Sequence, residues 1–159
     1  MRLGRTLHDL DWPNIKPHKV IGPAGNPLMH RWFVLKVGNL PRVYIHKFLR
    51  SDDDRALHDH PWWFVSIILH GSYIEVLPDE QISMRRAGSI QFRRATDTHR
   101  VVLIDNHPVW TLFITGPVKR MWGFWCDDYT PDEDITGEPY MRRIGAHFIP
   151  GKRFNGCGE

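Results

Sequence analysis

The chain has 159 residues, 42% hydrophobic and 25% charged, with 21 Lys and Arg against 18 Asp and Glu and a formal net charge of +3. That is enough chain for one domain with a sizeable core, and the absence of any long basic block argues against a nucleic-acid partner. No run approaches the roughly 18 apolar residues of a membrane span. The opening MRLGRTLHDLDWPNIKP lacks the apolar core of a signal peptide, so the expected compartment is the cytoplasm.

Residues 1–28 carry Pro13, Pro17, Pro23 and Pro27 and are expected to be irregular, wrapping the domain or supplying an edge strand. Eight strand-like runs follow: His30–Val37, Val43–Leu49, Trp62–Leu69, Tyr73–Leu77, Ser89–Arg93, His99–Ile104, Val109–Thr115 and Arg120–Trp125. Gly38-Asn39, Ser51-Asp52-Asp53-Asp54, Gly71-Ser72, Ala87-Gly88, Asp105-Asn106 and Gly116-Pro117 separate them with turn chemistry. Many short strands between turns predict an all-β jelly-roll barrel, its core spanning about residues 30–125 of a single domain. Residues 127–159 read as an acidic loop and a tail, with a short helix near Glu138–Ile144. Cys126 and Cys157 stand far apart in no C-x-x-C pattern, a reducing compartment is the default, and Cys126 is expected to pack beside Trp125. Exposed strand edges in half-open barrels pair across a two-fold, which makes a homodimer the expected assembly.

The chemistry concentrates at His58-Asp59-His60. Alternate side chains of a strand share a face, so the two histidines can point together into one cavity. His99 joins them if a second strand lies alongside. Three neutral imidazoles with open positions describe a divalent-metal site able to bind water, substrate or O₂. The same face continues through Phe64, Ser66 and Ile68, giving an apolar wall with one hydroxyl, against which substrate would rest. Tyr44, His46, Phe48 and Arg50 share one face of the preceding strand. If that face lines the cavity, Tyr44 and His46 serve as acid/base groups and Arg50 clamps a carboxylate. The alternative is that Val43, Ile45 and Leu49 face the core and the polar set is solvated. Asp59, between two inward histidines, is expected to face away and accept a hydrogen bond from a neighbouring loop. Asp97, two residues before His99, is expected to orient it.

The run His58-Asp59-His60-Pro61-Trp62-Trp63-Phe64, closed by Gly71, resembles the first motif of the cupin superfamily. Gly88…Arg94-Ala95-Thr96-Asp97-Thr98-His99…Leu103 resembles the second. The resemblance spans residues 43–115 and places His58, His60 and His99 on the three histidine ligand positions. The motif's Glu would fall near Phe64 or Val65, its Pro and Gly are Arg94 and Thr96, and its final Asn is Leu103. The resemblance therefore implies a three-histidine variant, as in the thiol dioxygenases, and small bacterial and phage cupins have a similar texture. It implies a divalent cofactor, Fe(II) foremost with Zn, Ni or Mn as alternatives, and a dioxygenase-type reaction on a small polar molecule. The alternatives are Lewis-acid isomerase, lyase or hydrolase chemistry, a metal-free epimerase using Tyr44 and His46, and a non-enzymatic ligand-binding or structural barrel.

Overall fold

The computed structural model describes residues 15–38, 41–52, 56–133, 136, 139–153 and 157. Its strands are β1 Lys19–Ile21, β2 Met29–Leu35, β3 Arg42–Phe48, β4 Leu57–His58, β5 Phe64–His70, β6 Ser72–Val76, β7 Ile82–Arg86, β8 Ile90–Arg93, β9 Arg100–Leu103, β10 Val109–Thr115, β11 Gly123–Glu133 and β12 Pro139–Pro150. The all-β expectation holds. Among the described residues no helix is long and apolar enough to cross a membrane.

One sheet runs β1-β2-β3-β10-β5-β8, antiparallel throughout. Two three-stranded sheets, β12-β11-β4 and β7-β6-β9, complete the architecture. An isolated antiparallel bridge between His58 and His99 joins them. The His58 amide donates to the His99 carbonyl at 2.8 Å, and the His99 amide returns the bond at 3.0 Å. The site is therefore built on the seam that turns two small sheets into one layer.

Period-two alternation explains the interior. Phe64, Ser66 and Ile68 of β5 and Val109, Thr111, Phe113 and Thr115 of β10 are buried, with half-buried residues between most of them. On β3, Tyr44, Ile45 and His46 are all buried, because both faces of that strand are covered. Tyr44 and His46 face the interior rings. On the outer side Trp32 stacks on Trp110 at 5.4 Å and donates its indole N–H to the Ile15 carbonyl at 2.9 Å, so the chain before β1 lies over this strip. The edge strand expected from residues 1–28 is β1. Two apolar clusters flank the site: Ile68, Tyr73, Val101, Leu103 and Val109 on one side, Tyr44, Phe64 and Phe113 on the other. Gly71 reverses the chain between β5 and β6 at φ +82°, where a Cβ would stand 3.0 Å from the Pro108 carbonyl oxygen. Only glycine accepts that conformation at that clearance.

Two expectations are corrected. The expected loop and helix after Trp125 are instead a long antiparallel ribbon of β11 and β12, and most of the expected tail beyond Arg153 lies outside the described residues. The ribbon's charged residues, which read as loop, pair across the strands: Arg143 with Asp127 at 2.7 Å, His147 with Asp128 at 2.7 Å and Arg142 with Asp132 at 2.6 Å. Cross-strand pairing thus overrides the helical preference of residues 139–144. The cysteines are not isolated either, since Cys126 and Cys157 form a disulfide. Cys126 is fully buried at the base of the ribbon, and the bond ties the chain beyond β12 back to β11.

Candidate metal centre

Each of the three histidines owes its position to a different local constraint. His58 ends β4, paired with Phe124 of β11 on one side and with His99 on the other. His60 lies two residues on, its amide held by the Ala95 carbonyl at 3.2 Å. His99 precedes β9, whose inward face continues as Val101 and Leu103. Between His58 and His60, Asp59 points away as expected, yet it is 1% exposed. It accepts from Arg120 Nη1 at 2.6 Å, from the Gly123 amide at 2.9 Å and from the Trp125 indole at 3.2 Å. Those bonds anchor the segment before β11 against the His58–His60 turn.

One ring nitrogen from each of His58, His60 and His99 falls within a group no more than 4.8 Å across. The His60 and His99 Nε2 atoms are 2.9 Å apart. Two nitrogens at about 2.1 Å from one ion and cis to each other would stand about 3 Å apart, so this spacing fits a shared cation. Protonation is also suitable. Burial, offset in part by Asp52 and reinforced by His99, lowers the His58 pKa to about 4. Burial and then the neighbouring His58 and His99 hold His60 well below its usual value. Neutral imidazoles are the ligating form. The donor set of this chain therefore fits a divalent ion.

The partner of His99 is Glu75 of β6, a residue that the sequence did not single out. Its Oε1 lies 2.9 Å from His99 Nδ1, which fixes Nδ1 as the N–H and turns the Nε2 lone pair toward His60. Glu75 is fully buried and also accepts from Arg85 Nε at 2.9 Å and from Arg93 Nη2 at 2.8 Å. With its amide nitrogen turned toward the carboxylate, Gln91 donates to both oxygens at 3.1 Å. Burial by itself would raise the Glu75 pKa, but the hydrogen bonds from His99 and Arg93 and their charges outweigh it and bring it to about 2. Tyr73, beside it, is raised to about 12 by burial and by the Glu75 charge. On the other flank, Asp52 Oδ2 lies 3.6 Å from His58 Nδ1 and accepts from the Val101 amide at 2.7 Å.

The cluster opens on a cavity of about 610 Å³. Phe64, Ser66 and His46 line it, as expected, together with Arg31, Phe113, Trp122 and Phe124. Three other expectations change. Tyr44 is not among the lining residues; it is buried, with its ring 5.7 Å from His46. Arg50 lies off the cavity and donates to the Asn26 carbonyl at 3.2 Å. Asp97 accepts from the Arg94 amide at 2.8 Å within its own turn, and Glu75 stands where Asp97 was expected to orient His99. Glu75 had one faint signal: it shares the Tyr73 face of an alternating strand, an acid where an inward residue is required. Arg31 and Asp52 carried none, because a cross-strand neighbour and a turn residue reveal their direction only once register is fixed.

No protein-family model matches the chain, and no curated protein matches it. Solved structures do. A conserved protein with a double-stranded β-helix domain from Klebsiella pneumoniae superposes with TM-score 0.51 at 17% identity, over 66% of this chain and 89% of that one. The fold is a double-stranded β-helix. A candidate mannose-6-phosphate isomerase from Ralstonia eutropha superposes with TM-score 0.52 at 18% identity, over 60% of this chain and 91% of that one. The DMSP lyase DddQ from Ruegeria pomeroyi gives 0.50 at 13% identity, over 64% of this chain and 54% of that one. At such identities the shared double-stranded β-helix is a likeness of fold alone.

Proposed function

We propose that this double-stranded β-helix is a metal-dependent enzyme in which His58, His60 and His99 hold a divalent ion, Fe(II) in the leading reading, for dioxygenase-type chemistry on a small polar molecule. The observation that carries the reading is the convergence of three imidazoles, those of His58 and His60 held neutral by burial, on one point of a cavity with apolar walls. His58, His60 and His99 would hold the ion, which would supply either O₂ chemistry or Lewis acidity. The chain's own residues do the rest. Glu75 orients His99 and compensates the positive charge of the site. Asp52 faces His58. Phe64 and Phe113, 4.7 Å apart and stacked, exclude water and give the substrate an apolar surface. His46 is held neutral, first by burial and then by Arg31.

One observation favours a second reading. No carboxylate belongs to the three-histidine group, whereas oxygen-activating iron is commonly held by two histidines and a carboxylate. An all-imidazole set leaves the ion its full charge, which suits Lewis-acid isomerase, lyase or hydrolase chemistry with Zn, Mn or Ni. The test is the metal content, by mass spectrometry, of protein purified without an affinity tag or added metal, beside His58→Ala and His99→Ala. Near-stoichiometric iron lost in both variants, with oxygen uptake on small acids and thiols, supports the first reading. Zinc, manganese or nickel supports the second. No metal, even on reconstitution, refutes both.

A further inference from the structure

Three half-buried arginines come with carboxylates: Arg85 and Arg93 pair with Glu75, and Arg120 pairs with Asp59. Arg31 is different. It lines the same cavity as the three histidines, and among the described residues no carboxylate pairs with it. Its Nε donates to His46 Nε2 at 2.8 Å. Its guanidinium carbon lies 4.9 Å from the centre of the Tyr44 ring. These contacts aim the group without neutralising it, because a neutral imidazole and an aromatic face carry no formal negative charge. An uncompensated cation out of bulk water is costly and persists in a binding site when the ligand brings the counter-charge.

We propose that Arg31 is the anion-binding end of the cavity and that the substrate is a small carboxylate, held between the Arg31 guanidinium and the three-histidine cluster. The second half of that statement rests on the metal-centre reading. Carboxylate is favoured over phosphate by geometry. With Nε committed to His46, the guanidinium has one free edge, its two terminal nitrogens, and a planar fork of this kind matches a planar two-oxygen anion. The two ends belong to one site. The Phe113 ring is 4.8 Å from His46 and 6.5 Å from His60, so a single phenyl ring spans the gap between the Arg31–His46 pair and the cluster. A carboxylate seated on Arg31 would place an atom a few bonds away beside the histidines, with its chain over Phe113. Arg31 thus takes the role that sequence assigned to Arg50, from the neighbouring strand.

The test is an NMR titration of metal-free and zinc-loaded protein with propionate, with propionamide as the neutral isostere and with inorganic phosphate. Propionate should bind both forms at least about tenfold more tightly than propionamide, as a charge-assisted pair would give. Arg31→Met should abolish that preference. Arg31→Lys, which keeps the charge and loses the fork, should retain part of it, and it serves as the readout if the Met variant does not fold. Propionate affinity unchanged in Arg31→Met, tighter binding of phosphate than of propionate, or no binding of propionate would each overturn the proposal. Zinc uptake is measured separately on the same samples. Arg31-dependent propionate binding without zinc uptake refutes the metal centre and leaves the anion site standing, and the opposite pattern does the reverse.

Discussion

Replacing Glu75 by Gln keeps the shape of the side chain and removes the charge on which His99, Arg85 and Arg93 converge. The folded-state pKa is about 2 against an ordinary 4.5. At about 1.36 kcal/mol per unit, that gap is worth about 3 kcal/mol at neutral pH. The figure agrees with the about 3–5 kcal/mol lost when one partner of a buried ion pair is removed. Because the pKa is depressed on folding, this stabilisation is complete above pH 4.5 and drains away as the pH falls toward 2. Urea unfolding of metal-free wild-type and E75Q protein should show the full difference at pH 7 and a smaller one at pH 3. A chelator-competition titration should show metal affinity reduced about 10–100-fold, the usual effect of removing a ligand's orienting partner. A stability difference below about 1 kcal/mol at pH 7, or one that stays constant down to pH 3, would refute the assignment of Glu75 as the ionised centre of this network.

Other consequences can be checked with standard measurements. Asp59→Ala leaves Arg120, the Gly123 amide and the Trp125 indole without their shared acceptor and should cost about 2–4 kcal/mol in urea unfolding, whereas a loss under about 0.5 kcal/mol would mean that solvent replaces it. Thiol titration of native, unreduced protein should find neither Cys126 nor Cys157. Reduction should lower stability by about 3–4 kcal/mol, the loop-closure value for a cross-link spanning 31 residues; two reactive thiols before reduction would contradict the pairing. Gly71→Ala forces a Cβ into positive-φ backbone beside Pro108 and Val109 and should lower thermal stability by about 1–3 kcal/mol, and an unchanged melting temperature would show that the turn relaxes freely.

The fold and the histidines were legible because each leaves a local trace. Val109–Thr115 was placed to the residue by alternation alone, and His58-Asp59-His60 announces one shared face. The ribbon was not legible, because β11 and β12 carry charges that make sense only opposite one another, and Asp127 gives no hint of Arg143 until the register is known. β7, from Ile82 to Arg86, escaped for a related reason: it is an edge strand with Ile82 and Met84 on the solvent side, so its apolar positions do not mark the core. Glu75 and Arg31 were missed because burial inverts the usual reading of a charged residue. A charge is assumed to face water unless a partner is in view, and their neighbours, His99 and His46, lie on other strands.

The His58–His99 bridge also bears on the order of events in folding. Two of the three proposed ligands are backbone partners, 41 positions apart (99 minus 58), and they meet only when that long loop closes. Such contacts form late, after their entropic cost has been met by other pairings. An ion bound there would then have no purchase on the early chain and would not nucleate the barrel. It would act as a latch on a nearly finished one, leaving the rate of folding almost untouched and slowing the rate of opening.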